Sequence, residues 1–263
     1  MKKLYFTVIC FLLTGIVTAQ TQEIGLMGGG SYYLGDLNPG YHFLMTKPAF
    51  GAFLKYDYGT RWAFRLGGFR ANVAGDDAVS KITETRNLKF ESHITEVSVT
   101  AEFNFFDYYV GRKRNIVTPY IFAGIGFFLF NPKADGVSLR DLGTEGQNVA
   151  FDGRKKYNLF GFSVPFGLGV KYSLNRRIGI GLEWGLRKTT TDYLDDVSRT
   201  YYLYGAQINP SNQQEILSDP TRLHDPHMER GNPKTMDWYS IFGVSLSYQF
   251  NMFHGRTCSD RQK

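Results

Sequence analysis

Cysteine is nearly missing from this chain of 263 residues: only Cys10 and Cys258 occur. Cys10 lies in an apolar N-terminal stretch that reads as an export signal. The mature chain then keeps one thiol, which excludes an internal disulfide even in the oxidising compartment that export implies. Thr7-Val8-Ile9 before Cys10 lack the small residues of a lipoprotein cleavage site, so lipidation is not expected. Long hydrophobic runs are missing too. After the signal no segment reaches the ~18 apolar residues of a membrane helix. Charge of one sign is scarce: the formal charge of +6 falls to +4 once Lys2 and Lys3 leave with the signal. That balance does not point to nucleic acid. No soluble α/β or helical pattern appears.

Strong catalytic and metal motifs are also lacking. Gly28-Gly29-Gly30 is not followed by Gly-Lys-Ser/Thr, so a strand bend is the better reading than a phosphate loop. Ser92 and His93 are neighbours in sequence, and adjacency does not make a nucleophile and its base. His224-Asp225-Pro226-His227 has no further spaced ligands and reads as solvated loop. No catalytic residue, cofactor, metal ion or small-molecule substrate is expected.

What is present is alternation. In Phe160-Gly161-Phe162-Ser163-Val164-Pro165-Phe166-Gly167-Leu168-Gly169-Val170-Lys171-Tyr172 every even position is large and apolar, and every odd one is Gly, Ser, Pro or Lys. Period two means a strand with one apolar face. A soluble sandwich would place charges on the other face. Here that face is small and cramped, which fits a narrow barrel with lipid outside and a crowded inside.

The same rhythm predicts strands at about residues 23–33, 46–58, 61–74, 90–105, 119–130, 158–172, 177–190 and 236–250. Most exceed the ~9–11 residues of a tilted membrane strand. Connections at 58–61 and 173–176 are tight, with Gly59 and Asn175 suited to turns. A third, 107–118, carries Arg112, Lys113 and Arg114. The other four, 34–45, 75–89, 131–157 and 191–235, are longer. An even strand number with short turns on one side and long loops on the other is the bacterial outer-membrane pattern. The expected fold is therefore all-β, an eight-stranded antiparallel transmembrane barrel in outer-membrane lipid, with both termini periplasmic. The expected division is a removed signal peptide at 1–19, a barrel at 20–250 and a polar periplasmic tail at 251–263. The last strand ends on an aromatic, Phe250, as such barrels often do.

Placing the apolar face outward puts Lys55, Arg65, Glu96, Glu102, Lys171, Glu183 and Arg187 in the lumen. A narrow lumen favours a plugging ion-pair network over a transport path or a catalytic carboxylate pair. Glu183 with Arg187, and Glu102 with Lys171, are the partners expected. A bulge near Gly67-Gly68 would shift the register there. Thr191-Asp192-Tyr193-Leu194-Asp195-Asp196-Val197 sits where the seventh strand leaves the membrane. It does not follow an EF-hand pattern. Asp residues as turn caps, with Tyr193 and Leu194 anchoring the rim, are the structural reading; partner contact and ion binding are its alternatives.

The stretch from Glu23-Ile24-Gly25-Leu26-Met27 through Gly35-Asp36-Leu37 resembles the first strand and loop of the PorG family. So do Pro165-Phe166-Gly167-Leu168-Gly169-Val170-Lys171-Tyr172 and Leu186-Arg187-Lys188-Thr189 through Val197-Ser198. That family comprises outer-membrane barrels of the type IX secretion (gliding) machinery of Bacteroidetes-type bacteria. The resemblance implies a non-enzymatic barrel that anchors or organises a periplasmic ring made of a lipoprotein and its partner, of the PorK and PorN type. Arg112, Lys113, Arg114 and the tail would then be the candidate partner contacts. The competing readings are a free-standing envelope barrel acting as adhesin or membrane stabiliser through its loops, a lipid-modifying barrel enzyme, and a diffusion porin. The narrow lumen disfavours the last.

Overall fold

The computed structural model describes residues 21–83, 85–111 and 114–250. The expected signal peptide and polar tail lie outside the described residues. Eight long strands build the molecule: β1 (Gln22–Leu34), β2 (Lys47–Tyr58), β3 (Trp62–Asp76), β4 (Lys89–Asn104), β5 (Val117–Leu129), β6 (Phe160–Ser173), β7 (Ile178–Thr189) and β8 (Trp238–Phe250). Their ends fall close to those expected from the alternation, because the period-two pattern stops where the pairing stops.

Each strand pairs antiparallel with its neighbour in sequence, and β1 also pairs with β8, so the sheet closes. Closure leaves no unpaired edge for lipid to face. Following the register once round the barrel runs Gln22, Tyr56, Phe64, Ala101, Ala123, Phe166, Leu186, Ser240 and back to β1 at Tyr32. The sheet thus returns ten residues further along β1. With standard strand spacings that stagger tilts the strands by roughly 41° and gives a barrel radius of about 8 Å. The register passes through Gly67 and Gly68 without a break, so no bulge shifts it there.

The outer wall is apolar. Leu26, Phe50, Leu54, Leu66, Val97, Ile125, Leu168 and Leu182 are all exposed. At the short-turn end Tyr58, Trp62, Phe103, Tyr172 and Tyr248 lie within about 6 Å of one level, given a climb of about 2.5 Å per residue along strands tilted this way. Roughly 20–25 Å further up, the outward positions turn polar at Arg70, Thr95 and Lys188, which matches the height of a membrane barrel's apolar band. An apolar sheath of this height with an aromatic girdle, around a closed sheet, is the outer-membrane barrel fold.

The long connections at the other end are ordered. Pro132–Ala134 extends the edge of β4 and forms a small hairpin with Val137–Ser138. Short helices, Asp77–Ser80, Leu139–Leu142 and Gln213–Ser218, punctuate the loops. The hydrophobic core sits where barrel mouth and loops meet: Leu37, Leu88, Phe90, Phe128, Phe130, Leu139, Leu194 and Val197 are buried together.

Candidate functional site

Inward parity brings the lumen charges together. Lys55, Arg65, Glu96, Glu102, Lys171, Glu183 and Arg187 are all buried. Near the short-turn end Lys55 pairs with Glu23 at 2.8 Å. Glu102 accepts from Lys171 Nζ at 2.5 Å and faces Arg65 Nε at 3.1 Å. Arg65 also donates to both oxygens of Glu183, at 2.5 and 3.1 Å. The Tyr120 hydroxyl donates to Glu183 at 2.7 Å, and Lys171 donates to Asn104 at 2.9 Å. The Arg65 guanidinium lies between the rings of Phe53 and Phe122, and the Lys171 ammonium lies 4.3 Å from the Tyr120 ring centre. Nearer the long-loop end Glu96 accepts from the Tyr239 hydroxyl and faces Arg187 Nε at 3.6 Å.

The expected pairing of Glu102 with Lys171 is present. The expected pairing of Glu183 with Arg187 is not: these residues are four apart on one strand, about 13 Å, beyond the reach of their side chains. The stagger instead carries Glu183 to Arg65 and Arg187 to Glu96. Glu23, Tyr120 and Tyr239 belong to the network although the sequence reading did not single them out. Their inward parity was the available signal. The cavity beside Lys55, Arg65 and Glu102 measures only about 20 Å³, room for about one water. The lumen around it is packed with buried, ion-paired side chains.

The four long loops close over this lumen as a cap tied by arginines. Arg86 holds Asp77 with two donors and donates to the carbonyls of Asp36 at 2.8 Å and Arg230 at 2.7 Å. Arg230, buried, donates to the Asp196 carbonyl at 2.6 Å, the Ser218 carbonyl at 3.2 Å and Glu145 at 3.2 Å. Arg154 donates to the carbonyls of Glu145 and Thr200. An arginine suits this work because its several N–H groups satisfy loop carbonyls that have no ladder partner.

The 191–197 stretch is the centre of the cap. Leu194 and Val197 are buried, and Tyr193 stacks on Tyr157 at 4.5 Å. Asp196 sits at φ 67°, accepts from Thr144 and Tyr157, and faces Arg230. Burial raises its pKa to about 6, an effect that Arg230 opposes. Burial raises that of Asp192 to about 7 and pushes Asp195 and Asp237 well above the carboxylate range. Replacing Arg230 by alanine is expected to expose residues 130–159 and 190–237 to protease while the strands stay resistant; equal loop resistance in variant and parent would count against this tie.

One detail differs from the sequence reading. His224 is not solvated: it stacks on Tyr201 at 4.2 Å and bonds Asp219 at 3.0 Å, whereas His227 is exposed. His42 and Phe43 bend over the rim and pack on Tyr32, Trp184 and Phe242 of the outer wall, where the hydroxyl of Tyr32 accepts from Trp184 Nε1 at 2.9 Å. Ser92 faces inward while His93 faces outward and bonds Asn72, so the two do not meet. Of the basic trio, Arg114 is exposed at the short-turn end, and Arg112 and Lys113 lie outside the described residues. At the same end the exposed Arg176 and Arg177 occupy the following turn, and Gly111 N donates to Ser173 Oγ at 2.9 Å.

A family model described as "Domain of unknown function (DUF6089)" matches residues 2–258. The chain belongs to the DUF6089 family. No curated protein matches it in sequence. Among solved structures the DUF6089 chain is similar to Ail, the attachment invasion locus protein of Yersinia pestis, solved with a heparin analogue: 10% identity, 89% of this chain and 100% of that chain covered, TM-score 0.42. It is also similar to the N-terminal β-barrel domain of Pseudomonas aeruginosa OprF, at 12% identity, 89% and 98% coverage and TM-score 0.40. A third likeness is Neisserial surface protein A, at 9% identity, 88% and 96% coverage and TM-score 0.39. The barrel assignment rests on the strand pairing itself.

Proposed function

We propose that this DUF6089 chain is a non-enzymatic outer-membrane component of the type IX secretion (gliding) machinery that anchors or organises a periplasmic ring of a lipoprotein and its partner. The observation that carries the reading is the packed lumen. A barrel filled by its own ion pairs is no conduit, so its work falls to its ends. The resemblance to the PorG family supplies the partner. In this reading the short-turn end faces the periplasm, with both termini on that side, and presents Arg114, Arg176 and Arg177 beside the aromatic girdle.

A mild-detergent pull-down of the tagged protein from native outer membranes tests it. The ring lipoprotein and its partner should follow the barrel; recovery of the barrel alone while the ring stays intact would refute the reading. Charge reversal of Arg112, Lys113 and Arg114 is expected to reduce ring recovery while the barrel still inserts, and unchanged co-purification would remove the trio from the interface. The ordered cap favours one alternative, a free-standing envelope barrel acting as adhesin or membrane stabiliser. That role requires surface binding that depends on loops 130–159 and 190–237.

A further inference from the structure

We propose that the loop cap is a proton-held lid: a proton shared between Asp195 and Asp237, with an uncharged Asp192 beside them, keeps the four long loops closed over the barrel mouth, and loss of those protons opens them.

The geometry at Tyr33 is the first sign of the shared proton. Its hydroxyl oxygen lies 2.5 Å from Asp195 Oδ2 and 2.9 Å from Asp237 Oδ1. A phenol carries one proton and donates one hydrogen bond, and an ionised carboxylate can only accept. Both contacts are full two-centre hydrogen bonds when one of the two carboxyl groups is itself protonated and donates to the phenol oxygen. Gly35 is packed directly against the trio: a Cβ there would fall 2.1 Å from both the Tyr33 oxygen and Asp237 Oδ1. The same two aspartates hold the loop backbone. Asp237 Oδ2 accepts from Leu194 N, and Asp195 Oδ1 from Val197 N, each at 2.9 Å.

Asp192 is the second sign. It is 6% exposed. No hydrogen bond of good geometry reaches either of its carboxyl oxygens, Ser198 being the polar side chain that bears on it. An ionised carboxylate in that state would be heavily penalised.

The charges around the cluster give only partial relief, Arg86 opposing the effect of burial at Asp195. Loop 35–46 contributes Asp36, whose carboxylate accepts from Asn232 N. Loop 77–88 contributes Asp77 and Arg86, bound to each other. Loop 130–159 contributes Glu145 and the Tyr157 hydroxyl, and loop 190–237 contributes Asp196, Arg199 and Arg230. Arg230 faces Glu145 and Asp196. The Glu145 carboxylate also accepts from the Arg199 backbone N–H. No guanidinium is ion-paired with Asp192, Asp195 or Asp237 among the described residues. Burial therefore raises the affinity of these acids for protons in the closed state. A raised acid stabilises the closed form at low pH and loses that contribution as pH climbs through its folded value. Each acid's contribution falls between its open-state pKa of about 4 and its closed-state value, which for Asp192 is about 7.

Hydrogen exchange of the full protein in lipid nanodiscs, corrected for the intrinsic effect of pH, tests this at pH 5.5 and 8.5. Loop amides should lose protection by about tenfold or more at the higher pH while the strands keep theirs. Asp192→Asn and Asp237→Asn should each lose less protection than the parent between the two pH values, because each removes one of the acids that ionises. A heat-shifted gel band establishes that each variant has folded, and Asp192→Asn alone decides the matter if Asp237→Asn does not fold. Equal wild-type loop protection at the two pH values, or variants that open as the parent does, would overturn the lid.

Discussion

Replacing Arg65 by alanine is expected to lower the stability of the barrel by about 3–5 kcal/mol, because a buried pair broken on one side leaves its partner charge uncompensated. Arg65 is the hub of the lumen: it faces Glu102 and holds both oxygens of Glu183. Glu102 keeps Lys171 after the change. Glu183 keeps only the Tyr120 hydroxyl and carries most of the penalty. The variant Arg65→Met combined with Glu183→Gln should therefore recover much of the loss, since it removes both members of the stranded pair and fills the space between Phe53 and Phe122. Denaturant unfolding in lipid or detergent, followed by the fluorescence of Trp62, Trp184 and Trp238, reads both variants. If Arg65→Ala unfolds at the parent's midpoint, the network is not holding the lumen.

The second large effect is at the seam. Gly29 of β1 and Gly243 of β8 are register partners where the first and last strands close the barrel. A Cβ on Gly243 would lie 2.4 Å from the Gly28 carbonyl oxygen, and one on Gly29 would lie 2.0 Å from the Phe242 oxygen. Both obstacles are backbone, so no side-chain rotation relieves them. Gly243→Val is expected to block closure, leaving strand edges that lipid cannot satisfy. The heat-modifiable gel species should be lost. A normal gel shift with wild-type insertion would show that the seam has slack the structure does not indicate.

Much of this architecture is legible in the residues, and the parts that are not have a common cause. Strand ends and lumen parity follow from alternation, a property of each strand alone: Glu102 and Glu183 face inward by count. Which charges meet depends on the ten-residue stagger, a property of the whole ring. Counting along β7 points Glu183 toward Arg187, whereas the stagger delivers Arg65. The cap was least legible. No motif marks Arg86, Arg154 or Arg230, yet Arg86 and Arg154 bond carbonyls on other loops and Arg230 reaches the Glu145 carboxylate on another. Likewise Tyr33 continues the first strand's pattern, and nothing local to it announces Asp195 and Asp237, more than 160 residues away. Contacts between loops have no period to reveal them.

Planar-bilayer recording of the purified protein at neutral pH tests most directly the claim that this barrel is filled and works through its surfaces. The packed lumen predicts no sustained conductance steps. Stable, porin-like conductance would show that ions cross where Arg65, Glu102, Lys171 and Glu183 are locked together, and would contradict the account.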